Sequence, residues 1–145
     1  MTLKNSKENA TIILVSRQAA GDEKEKMEFT TSGGFYERDG KFYITYEEHS
    51  DMGMGNSRVL LKAEPGMVTM RRMGDFGTVM VYKEGEATEF VYRVPYGEMS
   101  MKIKTLDIEN LLNADGGRLK FSYLLFTGGE TIQTQISISV RMERE

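Results

Sequence analysis

The sequence predicts an all-β protein, a single antiparallel barrel of eight to ten strands. Three observations predict it. First, apolar and polar residues alternate along almost every long stretch, best along Ile132–Met142. There Ile132, Thr134, Ile136, Ile138, Val140 and Met142 fall on one face, and Gln133, Gln135, Ser137, Ser139 and Arg141 on the other. Period two means a strand with one wet face and one dry face. Second, turn residues recur at short intervals: Gly33-Gly34, Asp39-Gly40, Pro65-Gly66, Gly74-Asp75, Glu84-Gly85, Asp115-Gly116-Gly117 and Gly128-Gly129. Short strands punctuated this way belong to sandwiches and barrels. Third, a run of consecutive short strands favours a meander, and closing the meander removes its exposed edges.

The pattern places strands near 10–19, 24–37, 41–48, 57–64, 67–73, 77–83, 88–95, 98–105, 117–127 and 130–142. Asp39-Gly40 is a hairpin signal between two strong strands. Gly33-Gly34 interrupts a good strand and predicts a bulge or a sharp bend, the device by which barrels curl. Pro95 cannot donate to a ladder and marks a strand end, an edge or a bulge. Leu106–Ala114 is ambiguous. Ile108, Leu111 and Leu112 have helical spacing and Asp107 could cap a turn, but both neighbours are strands. The expectation is a bulged strand.

A chain of 145 residues is enough for one domain, residues 1–145, with a core that needs no metal or disulfide staple. The absence of Cys excludes disulfides, zinc thiolates and thiol nucleophiles. The first apolar run, Ile12–Val15, is too short for a signal-peptide core or a membrane helix, so a soluble cytoplasmic protein is expected. A net charge of −3 argues against a general nucleic-acid surface. The 11 methionines suit either an adaptable cavity wall or ordinary core filling.

The run Gly33–Glu48 (GGFYERDGKFYITYEE), the Arg72-Met73-Gly74 and Pro95-Tyr96-Gly97 steps, the Thr105 segment and Gly117–Tyr123 (GRLKFSY) follow one another in a characteristic order. Taken together they resemble the YwiB-like family of bacterial proteins. The resemblance implies a calycin-like barrel, related in shape to lipocalins and fatty-acid-binding proteins. That family is a domain of unknown function, so it supplies no catalytic or binding residues.

The chemistry must therefore be sought in the residues. Asp51–Asn56 holds two glycines of a phosphate-loop pattern, but a strand follows where a helix is needed, so nucleotide binding is rejected. A pliable loop over a barrel end is the better reading. His49 follows Glu47 and Glu48, yet neighbours on a strand point to opposite faces, and a metal site is not supported. No serine sits in a nucleophile turn. Neither a cofactor nor a metal is expected, and catalysis is the least favoured class.

Arg72 is the sharpest candidate. A turn at Glu64-Pro65-Gly66-Met67 sets Ala63 opposite Val68, Leu61 opposite Met70 and Val59 opposite Arg72. Opposed residues share a face, so Arg72 falls on the apolar one. An inward Arg keeps its charge and needs a carboxylate, carbonyls, water or the anionic head of a ligand. Two readings stand open: an anion anchor inside the barrel, or an Arg near the barrel end satisfied by a Glu or by backbone. Arg58, Lys62 and Arg71 form a small outward basic stripe, read as a solvated face.

Two functional expectations follow. In the first, the barrel binds a small, partly apolar molecule, neutral or anionic, with Arg72 as anchor and Met70, Tyr92, Met99 and Met101 as wall. In the second, the core is filled and the outer surface meets a protein partner or a second copy. Membrane and nucleic-acid partners are not expected.

Overall fold

The computed structural model describes residues 8–48, 57–74, 77–94 and 96–143, with the side chains of residues 92–94 excepted. Ten strands are present: β1 Ala10–Ala20, β2 Glu23–Arg38, β3 Lys41–Glu48, β4 Ser57–Glu64, β5 Met67–Gly74, β6 Thr78–Lys83, β7 Ala87–Val94, β8 Gly97–Asn113, β9 Gly116–Thr127 and β10 Glu130–Met142. They form one antiparallel sheet in the order β6-β5-β4-β3-β2-β1-β10-β9-β8-β7. The sheet curls into a nearly closed ten-stranded barrel. Every expected strand is found.

The meander is sealed where the chain begins and ends. β1 pairs with β10 from Ala10↔Met142 to Ala19↔Gln133. Burial alternates along β10 as the sequence demands: Thr134, Ile136, Ile138 and Val140 are buried between half-buried neighbours. The dry faces of β1, β9 and β10 meet there, with Ile12, Leu119 and Ile138 fully enclosed.

Asp39-Gly40 forms the expected tight hairpin. Both residues have positive φ, 54° and 79°, the backbone that a two-residue turn between right-twisted strands requires. β2 changes partner at Gly33-Gly34: Gly33 is the last residue paired to β1, opposite Ala10, and Gly34 the first paired to β3, opposite Thr45. A Cβ on Gly33 would lie 2.2 Å from the Thr45 carbonyl oxygen and 2.8 Å from Ile12 Cγ1. Glycine is required because β1 and β3 converge on its backbone. Leu106–Asn113 continues β8 as a strand, after a register shift between Thr105 and Asp107. The bulge reverses the facing of the residues beyond it, so Ile108 and Leu112 turn inward at strand spacing while Leu111 is 56% exposed on the other face.

In a meander the connections alternate between the two barrel ends. One end carries short turns at Asp39-Gly40, Pro65-Gly66, Glu84–Glu86 and Ala114-Asp115. The other carries the β1–β2, β3–β4, β5–β6, β7–β8 and β9–β10 connections. The loop Asp51–Asn56, His49 and Pro95 lie outside the described residues.

The closure is incomplete at one seam. β6 and β7 are the two ends of the strand order and share no ladder. Among the described residues, beyond the turn bond from Glu86 N to Lys83 O, two side chains join them. Thr78 Oγ1 donates to Val91 O at 2.9 Å, and Thr88 Oγ1 donates to Val81 O at 2.5 Å.

Candidate functional site

The β4–β5 hairpin has the register expected from its turn, with Ala63↔Val68, Leu61↔Met70 and Val59↔Arg72. Arg72 therefore rises from the inner face. Its partner comes from two strands away. Glu48 opposes Ser57 on β4, and Ser57 opposes Gly74 on β5, so Glu48 and Arg72 sit diagonally across β4. Arg72 Nε donates to Glu48 Oε1 at 2.8 Å and Nη2 donates to Oε2 at 3.2 Å. The side chains are 10% and 7% exposed. This is the fork-on-fork geometry that guanidinium and carboxylate favour. Nη2 also lies 3.9 Å from Met70 Sδ. None of these contacts uses Nη1.

The electrostatics follow from this pair. Burial alone would lower the Arg72 pKa; the hydrogen bond and negative charge of Glu48 outweigh it and raise the value, so the guanidinium stays charged. Tyr46, opposite Val59 between the two, is pushed well above the ordinary tyrosine range by burial and then by Glu48, with Arg72 pulling the other way. Farther in, Tyr82 packs on Phe121 and on Tyr123, each at a centroid distance of 4.8 Å. Burial raises the pKa of Tyr82 and Tyr123 too. All three phenols are neutral donors at working pH. Their rings, with Phe121, fill the middle of the barrel.

A cleft of about 510 Å³ opens beside this pair, lined by Arg71, Arg72, Met73, Gly77, Thr78, Val79, Val91 and Glu98. It lies where the ends of β5 and β6 meet the end of β7 and the start of β8, at the flared end of the seam. Met73, Val79 and Val91 are exposed around it.

The residues expected to form a ligand wall are partly brought together. Arg72 and Met70 are adjacent on the inner face of β5. Met101 packs half-buried against the core opposite Phe90. Met99 continues that face toward the open end, where it is 40% exposed. Tyr92 is paired to Met99 through the backbone, and its side chain lies outside the described atoms. Two of the three residues of the outward basic stripe are paired, since Arg58 meets Glu47 at 3.1 Å and Lys62 meets Glu64 at 3.6 Å. Among the described residues no group of three His, Asp or Glu could hold a metal ion.

Glu48 and the cleft residues Met73, Val79, Val91 and Glu98 did not stand out in the sequence. Nothing in periodicity marks a strand pair that lacks its ladder, and that missing ladder creates the cleft.

Residues 12–138 match the family model described as Domain of unknown function (DUF1934). The chain belongs to this family. It is 29% identical over 107 residues, 74% of each chain, to a protein described as uncharacterized beta-barrel protein YwiB of Bacillus subtilis (strain 168). The crystal structure of ywiB protein from Bacillus subtilis superposes with a TM-score of 0.80 at 23% identity, covering 95% of this chain and 98% of that one. The DUF1934 likeness therefore covers the barrel from β1 to β10 and supplies no assigned chemistry. No helix among the described residues is long and apolar enough to cross a membrane.

Proposed function

We propose that this barrel binds a small, partly apolar molecule at its open end, in the cleft beside Arg72 and not deep in the lumen. The observation that carries the reading is the cleft itself. Its volume of about 510 Å³ falls within the usual span of ligand sites, roughly 300–1,000 Å³. Apolar Met73, Val79 and Val91 surround a few charged groups, the composition such sites favour. The lumen offers less, because Tyr82, Phe121 and Tyr123 occupy it.

Arg72 has a modified part in this reading. Glu48 already answers its charge, so toward the cleft it offers hydrogen-bond donors and not an unpaired cation. The exposed Arg71 is the cation that an anionic ligand would use. Met70, Met99 and Met101 stand on the inner side of the same end, where flexible methionines adapt to a ligand's apolar part.

The test is native mass spectrometry of protein purified from its host, followed by calorimetric titration of the stripped protein with dodecanoate. The expected results are a co-purified small molecule and dodecanoate binding that Val79→Lys weakens at least tenfold. The absence of both a bound mass and measurable heat would overturn the proposal.

A further inference from the structure

β2 has an open edge along its first half. It pairs with β1 through Glu23–Gly33 and with β3 through Gly34–Arg38 alone. Where β1 gives out, the Asn9 side chain takes its place, accepting from Phe35 N and donating to Phe35 O. Among the described residues nothing takes the place of β3 beside Glu23–Thr31. Six consecutive residues there, Glu23–Glu28, are exposed on both faces.

In a strand the N–H and C=O of one residue point to the same side, and successive residues alternate. Asn9 O accepts from Glu143 N, so the odd-numbered residues along β1 face β10 and the even-numbered ones face β2. Their partners on β2, among them Thr31, Phe29 and Met27, face back toward β1. Lys24, Lys26, Glu28 and Thr30 therefore turn their main-chain groups to the open edge.

An open edge is a template for any strand unless its side chains select one. The edge here reads Glu23-Lys24-Glu25-Lys26-Met27-Glu28-Phe29. Laid antiparallel on its own copy about a two-fold axis at Met27, it sets each Lys26 opposite Glu28 of the second copy. Within one chain Lys26 Nζ already lies 3.9 Å from Glu28 Oε1 on the outer face, so the two copies would bring four charges of alternating sign together. An axis at Glu25, Lys26 or Glu28 would instead set like charges face to face. The Met27 axis also agrees with the backbone. It makes Lys26 and Glu28 the hydrogen-bonded pair and leaves Met27 as the close pair without bonds. Met27 is 44% exposed in one chain; its counterpart and, diagonally, Phe29 of the second copy would cover it. We infer that the open edge of β2 joins a second copy of this chain in an antiparallel dimer centred on Met27.

The test is sedimentation velocity of the full chain at about 100 µM, where a dimer of micromolar Kd is populated. The expected species is a dimer. Lys26→Glu or Glu28→Lys alone should weaken it by about tenfold or more, since each sets like charges opposite, and the two together should restore it. Both side chains are more than half exposed, so the variants keep the fold. The chain has no Cys, so Met27→Cys introduces one thiol per chain. On oxidation it should give a covalent dimer. Lys24→Cys should not, because its two thiols would lie about 20 Å apart in this register. A monomer at that concentration overturns the inference and leaves the edge to a different protein. A dimer indifferent to the charge reversals, or one that cross-links equally at positions 24 and 27, overturns it as well.

Discussion

Arg72 Nε lies 2.8 Å from Glu48 Oε1, and this ion pair bridges β5 to β3 over the top of β4. Both side chains are nearly buried, so each charge depends on the other. Arg72→Met should strand the Glu48 carboxylate and destabilise the fold by about 3–5 kcal/mol. Arg71→Met, on the outer face of the same strand, should change stability by less than about 0.5 kcal/mol. Replacing both partners, Arg72→Met with Glu48→Leu, should recover most of the loss, since a buried pair is worth little over well-packed apolar side chains. Urea unfolding of the variants measures all three. If Arg72→Met matched Arg71→Met, Glu48 would not depend on its partner.

What could and could not be read from the sequence divides along sequence distance. The facing of Arg72 was legible because a short turn fixes the β4–β5 register within a few residues. Its partner was not, because choosing Glu48 among 22 acids requires the β3–β4 register as well. The segment joining Glu48 to Ser57 is not a short turn, so turn chemistry does not set that register. The filled lumen was hidden for a similar reason. Tyr82 meets Phe121 and Tyr123 only once the sheet has curled on itself. The seam was not legible because β6 reads as an unbroken apolar run, Val79–Tyr82, and such a run does not say which neighbour the strand pairs with.

Alkaline pH should unfold this protein more readily than its strand content suggests. Burial raises the phenol pKa of Tyr46, Tyr82 and Tyr123 above the ordinary value of 10.0. A raised folded-state pKa gives stability that is intact below the unfolded value and is lost as pH climbs above it. Above pH 10 the unfolded chain therefore sheds phenolic protons that the folded chain retains. Each tyrosine costs about 1.4 kcal/mol per pH unit for as long as it stays protonated in the folded chain, so the three together give a slope of at most about 4 kcal/mol per unit. Urea midpoints at pH 9, 10 and 11 should fall in that order, with a flat profile from pH 7 to 9 as far as these groups are concerned. Tyr82→Phe should reduce the slope by about a third. A slope that did not change would show that Tyr82 ionises in place.

Gly33→Ala tests the point at which β2 passes from β1 to β3. The added methyl would overlap the Thr45 carbonyl oxygen, a backbone atom that cannot swing away. A loss of about 1–3 kcal/mol is expected, as for other overpacked sites. Gly77→Ala is the control, since its Cβ would approach nothing closer than Arg72 O at 3.4 Å. Equal melting temperatures for the two variants would mean that the β2 bend has slack.

The last prediction concerns the seam, where two hydroxyls do the work of a ladder. A net hydrogen bond contributes about 1 kcal/mol, and a buried acceptor left unpaired costs about 1–3 kcal/mol. Thr78 is buried, and valine matches its shape without its donor. Thr78→Val should therefore leave Val91 O unpaired and destabilise by about 1–3 kcal/mol. Thr88→Val removes the bond to Val81 O nearer the β6–β7 turn, where the Glu86 N to Lys83 O bond still holds the strands together. It should cost less. Both changes should act locally first. Native-state hydrogen exchange should show Val79, Val81, Glu89 and Val91 amides opening at lower free energy than amides in the β9–β10 ladder, because no backbone bond has to break. The double variant should widen that gap while leaving β9 and β10 protected. Uniform exchange across β6, β7, β9 and β10 would mean that the barrel opens only as a whole and that the seam is as firm as its ladders.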